Sequence, residues 1–213
     1  MITKFTKLLP FATPYPAENP DVKSRSAWFN PKIQGAVFQT IMAKQTVGPF
    51  LELGTWTGAG STVFIASRFP STQIICVDTW EGSPEHHRIP AYNKVRKNLW
   101  DHFCSNTWDF RDRITPIKMT TVEGMQVVAN SGIKPELIYI DAAHEEGAVY
   151  EDITTALRLF PDSAICGDDY TTGPKSHPGV RLAVQACMEE GIIEENEFGL
   201  LGHCWYLKRN WNR

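Results

Sequence analysis

The sequence predicts an α/β chain built on a doubly wound, mostly parallel sheet, and three observations predict it. Short apolar runs near 50–54, 73–78, 114–118, 136–141 and 163–167 recur along the chain, each the length of a buried strand. Longer helical segments separate them, the alternation that builds βαβ units. The first run breaks into three glycines, and later runs end in acids at Asp78, Asp141 and Asp168. Parallel strands bring their C-terminal ends to one edge of a sheet, so these groups should converge there.

Taken in order, residues 1–30 form an N-terminal arm and 31–213 a single domain. Prolines from Pro10 to Pro20 keep the arm from regular helix, and it wraps over the surface or over a partner, which leaves a homo-oligomer open. A helix from about Pro31 to Lys44 leads into the first strand. That strand opens Phe50-Leu-Glu-Leu-Gly-Thr-Trp-Thr-Gly-Ala-Gly-Ser61. Gly54, Gly58 and Gly60 have no Cβ, so a ligand can lie on the main chain, its anionic part facing the next helix, which begins near Ser61. The order G-x-x-x-G-x-G is not the dinucleotide G-x-G-x-x-G. Glu52 precedes the first glycine, where it can hold an ammonium group, which S-adenosylmethionine carries and NAD does not.

The second strand ends at Asp78, placed to take ribose hydroxyls at the end of the adjacent strand. Trp56 in the glycine loop and Trp80 after Asp78 are candidates to pack on adenine or on the methionine chain, with simple packing the alternative. A long insert, 81–113, carries Glu85-His86-His87-Arg88 and a helical run from Tyr92 to Phe103, and reads as a lid at the ligand edge. His86 and His87 read as substrate contacts or solvated groups. After the third strand come Thr120 and Thr121, Thr121 either at the cofactor or as a helix N-cap.

The strand Pro135–Asp141 is followed by His144, and Ser163–Gly167 by the pair Asp168 and Asp169. Asp141, Asp168 and Asp169 would repel one another unless a divalent cation joined them. An all-oxygen set suits Mg²⁺, with Ca²⁺ or Mn²⁺ also compatible. The other reading caps a turn with Asp168 and Asp169 and leaves Asp141 alone catalytic. His144 titrates near neutrality and is a candidate general base, or else a helix cap or a cofactor hydrogen-bonding group. Tyr170 and the loop to His177, with Lys175, would form a further wall. The segment 194–208 reads as a strand pair.

Glu52-Leu-Gly-Thr-Trp-Thr-Gly and Val77-Asp-Thr-Trp80 resemble the first two motifs of class I S-adenosylmethionine-dependent methyltransferases. With Asp141, His144, Asp168 and Asp169, residues 30–208 resemble more narrowly the small metal-dependent O-methyltransferases of the catechol and macrolide-sugar types. The resemblance implies a seven-stranded Rossmann-like sheet with an antiparallel C-terminal strand. It also implies bound S-adenosylmethionine, and a divalent ion that orients and acidifies an acceptor hydroxyl. Catechol O-methyltransferase has lysine at the position of His144, and the macrolide-sugar enzymes place aspartate at that of Ala143. A phenol, a sugar or another natural-product diol is therefore an open choice of acceptor.

Composition bounds the alternatives. The chain has 213 residues, 42% hydrophobic, enough for one substantial core. A net charge of −3 without a basic run points away from nucleic acid and anionic membranes. Five scattered cysteines, with Cys76 and Cys166 in strands, read as reduced thiols of a cytoplasmic protein, and no apolar run is long enough for a membrane span. Two other classes compete: a non-catalytic cofactor-binding protein, which leaves His144 and the carboxylates unexplained, and a nicotinamide-dependent oxidoreductase, which the glycine spacing disfavours.

Overall fold

The computed structural model describes residues 6–22, 27–43, 48–171 and 177–210. Among these, β1 (Phe50–Leu53), β2 (Ile74–Asp78), β3 (Ile114–Lys118), β4 (Leu137–Ile140), β5 (Ala164–Gly167), β6 (Phe198–Leu201) and β7 (Cys204–Leu207) form one sheet. Its order is β3-β2-β1-β4-β5-β7-β6. The first five strands are mutually parallel, and β7 runs antiparallel between β5 and β6. The winding reverses between β1 and β4, so the crevice at their C-terminal ends is the topological switch point where α/β sheets bind ligands.

The central strands read as unbroken apolar runs because both faces are covered. One face buries Leu51, Leu53, Ile75, Val77, Ile138 and Ile140 under α6 (Thr121–Asn130), α7 (Glu146–Leu159) and α8 (Pro178–Glu189). The other buries Phe50, Ile74, Cys76, Leu137 and Tyr139 against α1 (Gln34–Met42) and α2 (Ser61–Arg68), and against the insert. Alternation along β1 therefore points Glu52, like Phe50, toward the side where α2 begins. The five cysteines are unpaired and buried. Among the described residues no helix is long and apolar enough to cross a membrane.

The insert contains α3 (Pro84–Arg88), α4 (Asn93–Arg96) and α5 (Leu99–Thr107). The single helix expected from Tyr92 to Phe103 is broken at Asn98, whose φ of −128° and ψ of 32° are not helical. At α6 the cap is Thr120 rather than Thr121. Thr120 and Glu123 form a reciprocal capping box, which satisfies two backbone N–H groups that a Thr121 cap would leave open. The arm packs on its own domain: the Thr13 amide donates to Pro116 O (2.7 Å), and the Lys118 amide to Thr13 Oγ1 (2.9 Å). Those bonds cover the edge strand β3, where Pro116 is tolerated because its missing N–H faces no ladder partner.

Helix α6 approaches β2 through Gly124, where a Cβ would overlap the Val77 side chain. Gly124→Ala should therefore destabilise the fold by about 1–3 kcal/mol despite alanine's better helix propensity. An unchanged urea midpoint would show that α6 shifts without strain.

Candidate active site

Gly54 leaves β1 at φ +83°, and a Cβ there would overlap the Asp141 carbonyl at the end of β4. Only glycine permits that approach, and it seats the β1 loop against β4. Asp78 closes the loop from the other side. Its Oδ2 accepts from the Thr55 and Trp56 amides (2.8 and 2.9 Å), and its Oδ1 from the Trp80 amide (2.6 Å). Burial raises the Asp78 pKa, and these amides oppose the rise. Glu52 is fully buried and accepts from the Ser61 and Thr62 hydroxyls at the start of α2, the latter at 2.6 Å.

On the β4 and β5 side, the buried Tyr139 hydroxyl lies 3.1 Å from both Asp141 Oδ2 and Asp168 Oδ2. Asp168 is 5% exposed and also accepts from Gln34 Nε2, the Asp169 amide and His203. Burial first, then the charges of Asp168 and Asp169, hold the Asp141 pKa well above the carboxylate range. Asp169 behaves oppositely. Burial works against its ionisation, but the hydrogen bond and charge of His144, with the charges of His177 and His203, keep its pKa low. His144 Nε2 lies 2.9 Å from Asp169 Oδ2, and the His144 and His177 rings are 3.9 Å apart.

Two adjoining cavities occupy the crevice, with empty volumes of about 870 and 730 Å³ open to solvent. Asp78, Thr79, Met119, Thr121 and Ala143 line one. Phe29, Ser61, His144, Asp168, Asp169 and His177 line the other. Gly54, Trp56, His86, Asp141 and Ala142 are common to both. Over the junction Trp56 packs on His86 (4.2 Å between ring centroids) and on Trp28 (5.5 Å), and Tyr92 completes the group.

The predicted residues thus separate into two layers. Gly54, Trp56, Gly60, Ser61, Asp78, Thr121, Asp141, His144, Asp168 and Asp169 border a cavity. Glu52 borders neither, and an ammonium group in the cavity would meet Ser61 before it. Gly58 turns at φ +69° against Phe103 and Thr107 of α5. Trp80, for which the sequence left cofactor stacking and simple packing open, is 4% exposed and packs on Trp100 (4.6 Å) and Phe103 (4.8 Å). Its φ of +51° turns the ring into this cluster. Tyr170 packs on Phe198 (5.2 Å) rather than walling the crevice. Lys175 lies outside the described residues.

Asp141 stands outside the two most closely gathered donor sets, although the charges of Asp168 and Asp169 reach it. The closely gathered groups among the described residues are His144, Asp169 and His177, and Asp168, Asp169 and His203. Sequence reasoning missed Gln34, Tyr139 and His203. Only the alternation of β4, which puts Tyr139 on the face of Asp141, hints at any of them.

A family model described as a methyltransferase domain matches residues 51–170, more than half of the chain. The fold is similar to that of CalS11, described as a TDP-rhamnose 3'-O-methyltransferase of calicheamicin biosynthesis. The two are 21% identical, with 81% of this chain and 76% of that chain covered at a TM-score of 0.52. Cofactor-bound Rv0187 from MTB is 20% identical, with 88% and 84% covered at 0.52. A candidate O-methyltransferase from Klebsiella pneumoniae is 19% identical, with 97% and 91% covered at 0.53. No curated protein matches the chain by sequence.

Burial pushes the Glu52 pKa up to about 7 from an ordinary 4.5, against the opposing hydroxyl bonds. Between those values the folded chain keeps a proton that the unfolded chain has released, so stability falls as pH rises, by at most about 1.4 kcal/mol per pH unit. Glu52→Gln should remove this component. Urea melts at pH 4.5 and 7 should show a smaller loss in the variant, and equal losses would mean that Glu52 is ionised throughout.

Proposed function

Because the chain belongs to the methyltransferase-domain family and is a class I S-adenosylmethionine-dependent enzyme, we propose that it methylates a hydroxyl of a small-molecule acceptor. The observation that carries this reading is the pair of cavities meeting at Gly54 and Asp141. A cofactor in one and an acceptor in the other would touch there, and uncatalysed encounter is replaced by fixed orientation.

The cavity lined by Asp78, Thr121 and Ala143 suits the adenosine. Asp78 Oδ1 accepts one amide bond and keeps acceptor capacity toward ribose hydroxyls. Past Gly54, which borders both cavities, the crevice continues to Ser61, whose hydroxyl, backed by Glu52, would face the methionine end. When bound, S-adenosylmethionine supplies an electrophilic methyl group on a cationic sulfonium.

Proton removal is assigned to His144. The ionised Asp169 bound to its Nε2 orients the ring and stabilises the imidazolium that forms when it takes the acceptor proton. Asp141 borders both cavities and stands at the junction; without a cation burial and the neighbouring charges favour its protonated form, and a bound ion would hold it ionised. Trp28, Trp56, His86 and Tyr92 would cover the acceptor and exclude water. Their flat faces suit a phenol or a sugar ring, and the TDP-rhamnose activity named for CalS11 is consistent with the second.

The divalent ion belongs to this reading in altered form. Asp168 accepts from Gln34, the Asp169 amide and His203 and shares the single Tyr139 hydroxyl proton with Asp141, so Asp141 and Asp169 are the freer carboxylates to hold a hard ion, with waters completing its shell. Mg²⁺ commonly uses one or two carboxylates in this way, and its charge would acidify an acceptor hydroxyl.

Three outcomes test the reading. Asp78→Ala should weaken S-adenosylmethionine binding by about 1.5–3 kcal/mol in calorimetry, and an unchanged affinity removes Asp78 from the ribose. His144→Ala should lower turnover by roughly 10²–10⁴-fold with cofactor affinity kept, the loss shrinking at high pH where the acceptor ionises unaided. Near wild-type turnover at neutral pH, with chemistry rate-limiting, would assign the proton elsewhere. EDTA should suppress methyl transfer without weakening cofactor binding, and Mg²⁺ should restore it; full turnover in metal-free buffer would eliminate the ion.

A further inference from the structure

We propose that His144, Asp169 and His177 form a chelating site for a borderline transition-metal ion of the Zn²⁺ or Co²⁺ class. One ligand atom from each lies within 4.8 Å of the other two. The three residues come from separate elements, namely the turn between β4 and α7, the end of β5, and the residue that opens α8. The backbone builds their approach. At Gly179, two residues after His177, a Cβ would overlap the His144 carbonyl, so α8 starts directly against the 144–146 main chain. That contact brings the two imidazoles to 3.9 Å between centroids, while Asp169 Oδ2 stands 2.9 Å from His144 Nε2.

The donor set decides the ion. Carboxylate and water sets suit Mg²⁺ and Ca²⁺, whereas two imidazoles with one carboxylate suit Zn²⁺, Co²⁺, Ni²⁺ or Fe²⁺. All three residues border the cavity, so three protein ligands would leave a position facing it open to water. The neighbouring set of Asp168, Asp169 and His203 is the weaker candidate. An ion in the first set would replace the His144–Asp169 bond, whereas in the second it would replace the His203–Asp168 bond and also disturb those of Asp168 to Gln34, Tyr139 and the Asp169 amide.

This inference goes beyond the proposed methyl transfer and stands without it. If both hold, a borderline ion bound through one nitrogen of His144 stops the ring from cycling a proton and takes the carboxylate that a hard ion would share, so it inhibits.

The test uses the full chain, stripped with EDTA and free of cofactor, titrated with Co²⁺ and followed by visible d–d absorption. One Co²⁺ should bind per chain, yielding to Zn²⁺ but not to excess Mg²⁺. His144→Ala and His177→Ala should each weaken binding by more than about tenfold, since losing a ligand costs at least as much as losing an outer partner. His203→Ala should leave the spectrum unchanged. If His177→Ala does not fold by circular dichroism, His177→Gln is read in its place. Equal affinity in wild type and in both ligand variants, or a loss that follows His203→Ala alone, overturns the site. Zn²⁺ binding without inhibition would instead leave the metal site standing and remove His144 as the base.

Discussion

The approach of the β1 loop to the end of β4 governs the rest of the crevice. Gly54 sits so close to the Asp141 carbonyl that no side chain fits between them. The Gly54 amide donates to Val77 O (2.9 Å) and the Asp141 amide to Leu53 O (2.8 Å). Three strand ends are therefore tied together at one point by main-chain bonds. Both cavities open from that point, so under the proposed reading a cofactor against the loop and an acceptor against β4 and β5 would share one fixed frame. Rigid main chain positions reacting groups better than side chains on mobile loops.

Around this frame, acids are kept close together by donors drawn from far along the chain. Asp168 takes hydrogen bonds from Gln34 on α1, Tyr139 on β4 and His203 in the β6–β7 turn. Buried carboxylates with such partners are far less costly than unpaired ones. The arrangement splits three adjacent acids by environment: Asp141 is pushed toward its neutral form, Asp168 is anchored, and Asp169 is held ionised by histidines. Groups with opposite protonation tendencies side by side are what proton-transfer chemistry requires.

The aromatic wall has a different origin. Trp28 belongs to the N-terminal arm, Trp56 to the glycine loop, and His86 and Tyr92 to the insert. Trp28 remains 54% exposed although it contacts three rings, so it covers the crevice from outside rather than filling a core. Phe103 and the partly buried Trp100 of the insert also pack on Trp80, which anchors the insert to the sheet.

Local pattern alone sufficed to locate the five parallel strands and the sheet edge where their terminal acids lie. Apolar runs of strand length can be buried only in a covered sheet, and glycines with strand-end acids mark its ligand edge. It placed Asp78 and Asp141 at that edge because each directly ends a strand, and local chain direction is set within a few residues. It did not distinguish Glu52 behind Ser61, Trp80 inside an aromatic cluster, or Asp168 consumed by Gln34, Tyr139 and His203. Those outcomes depend on partners as many as 134 positions away and on side-chain direction, which backbone turns such as φ +51° at Trp80 decide. Placement of His177 beside His144 likewise required the docking of α8 through Gly179. Local pattern fixes what a residue can be buried against in its own element. Only the packed chain decides which distant donor reaches it first.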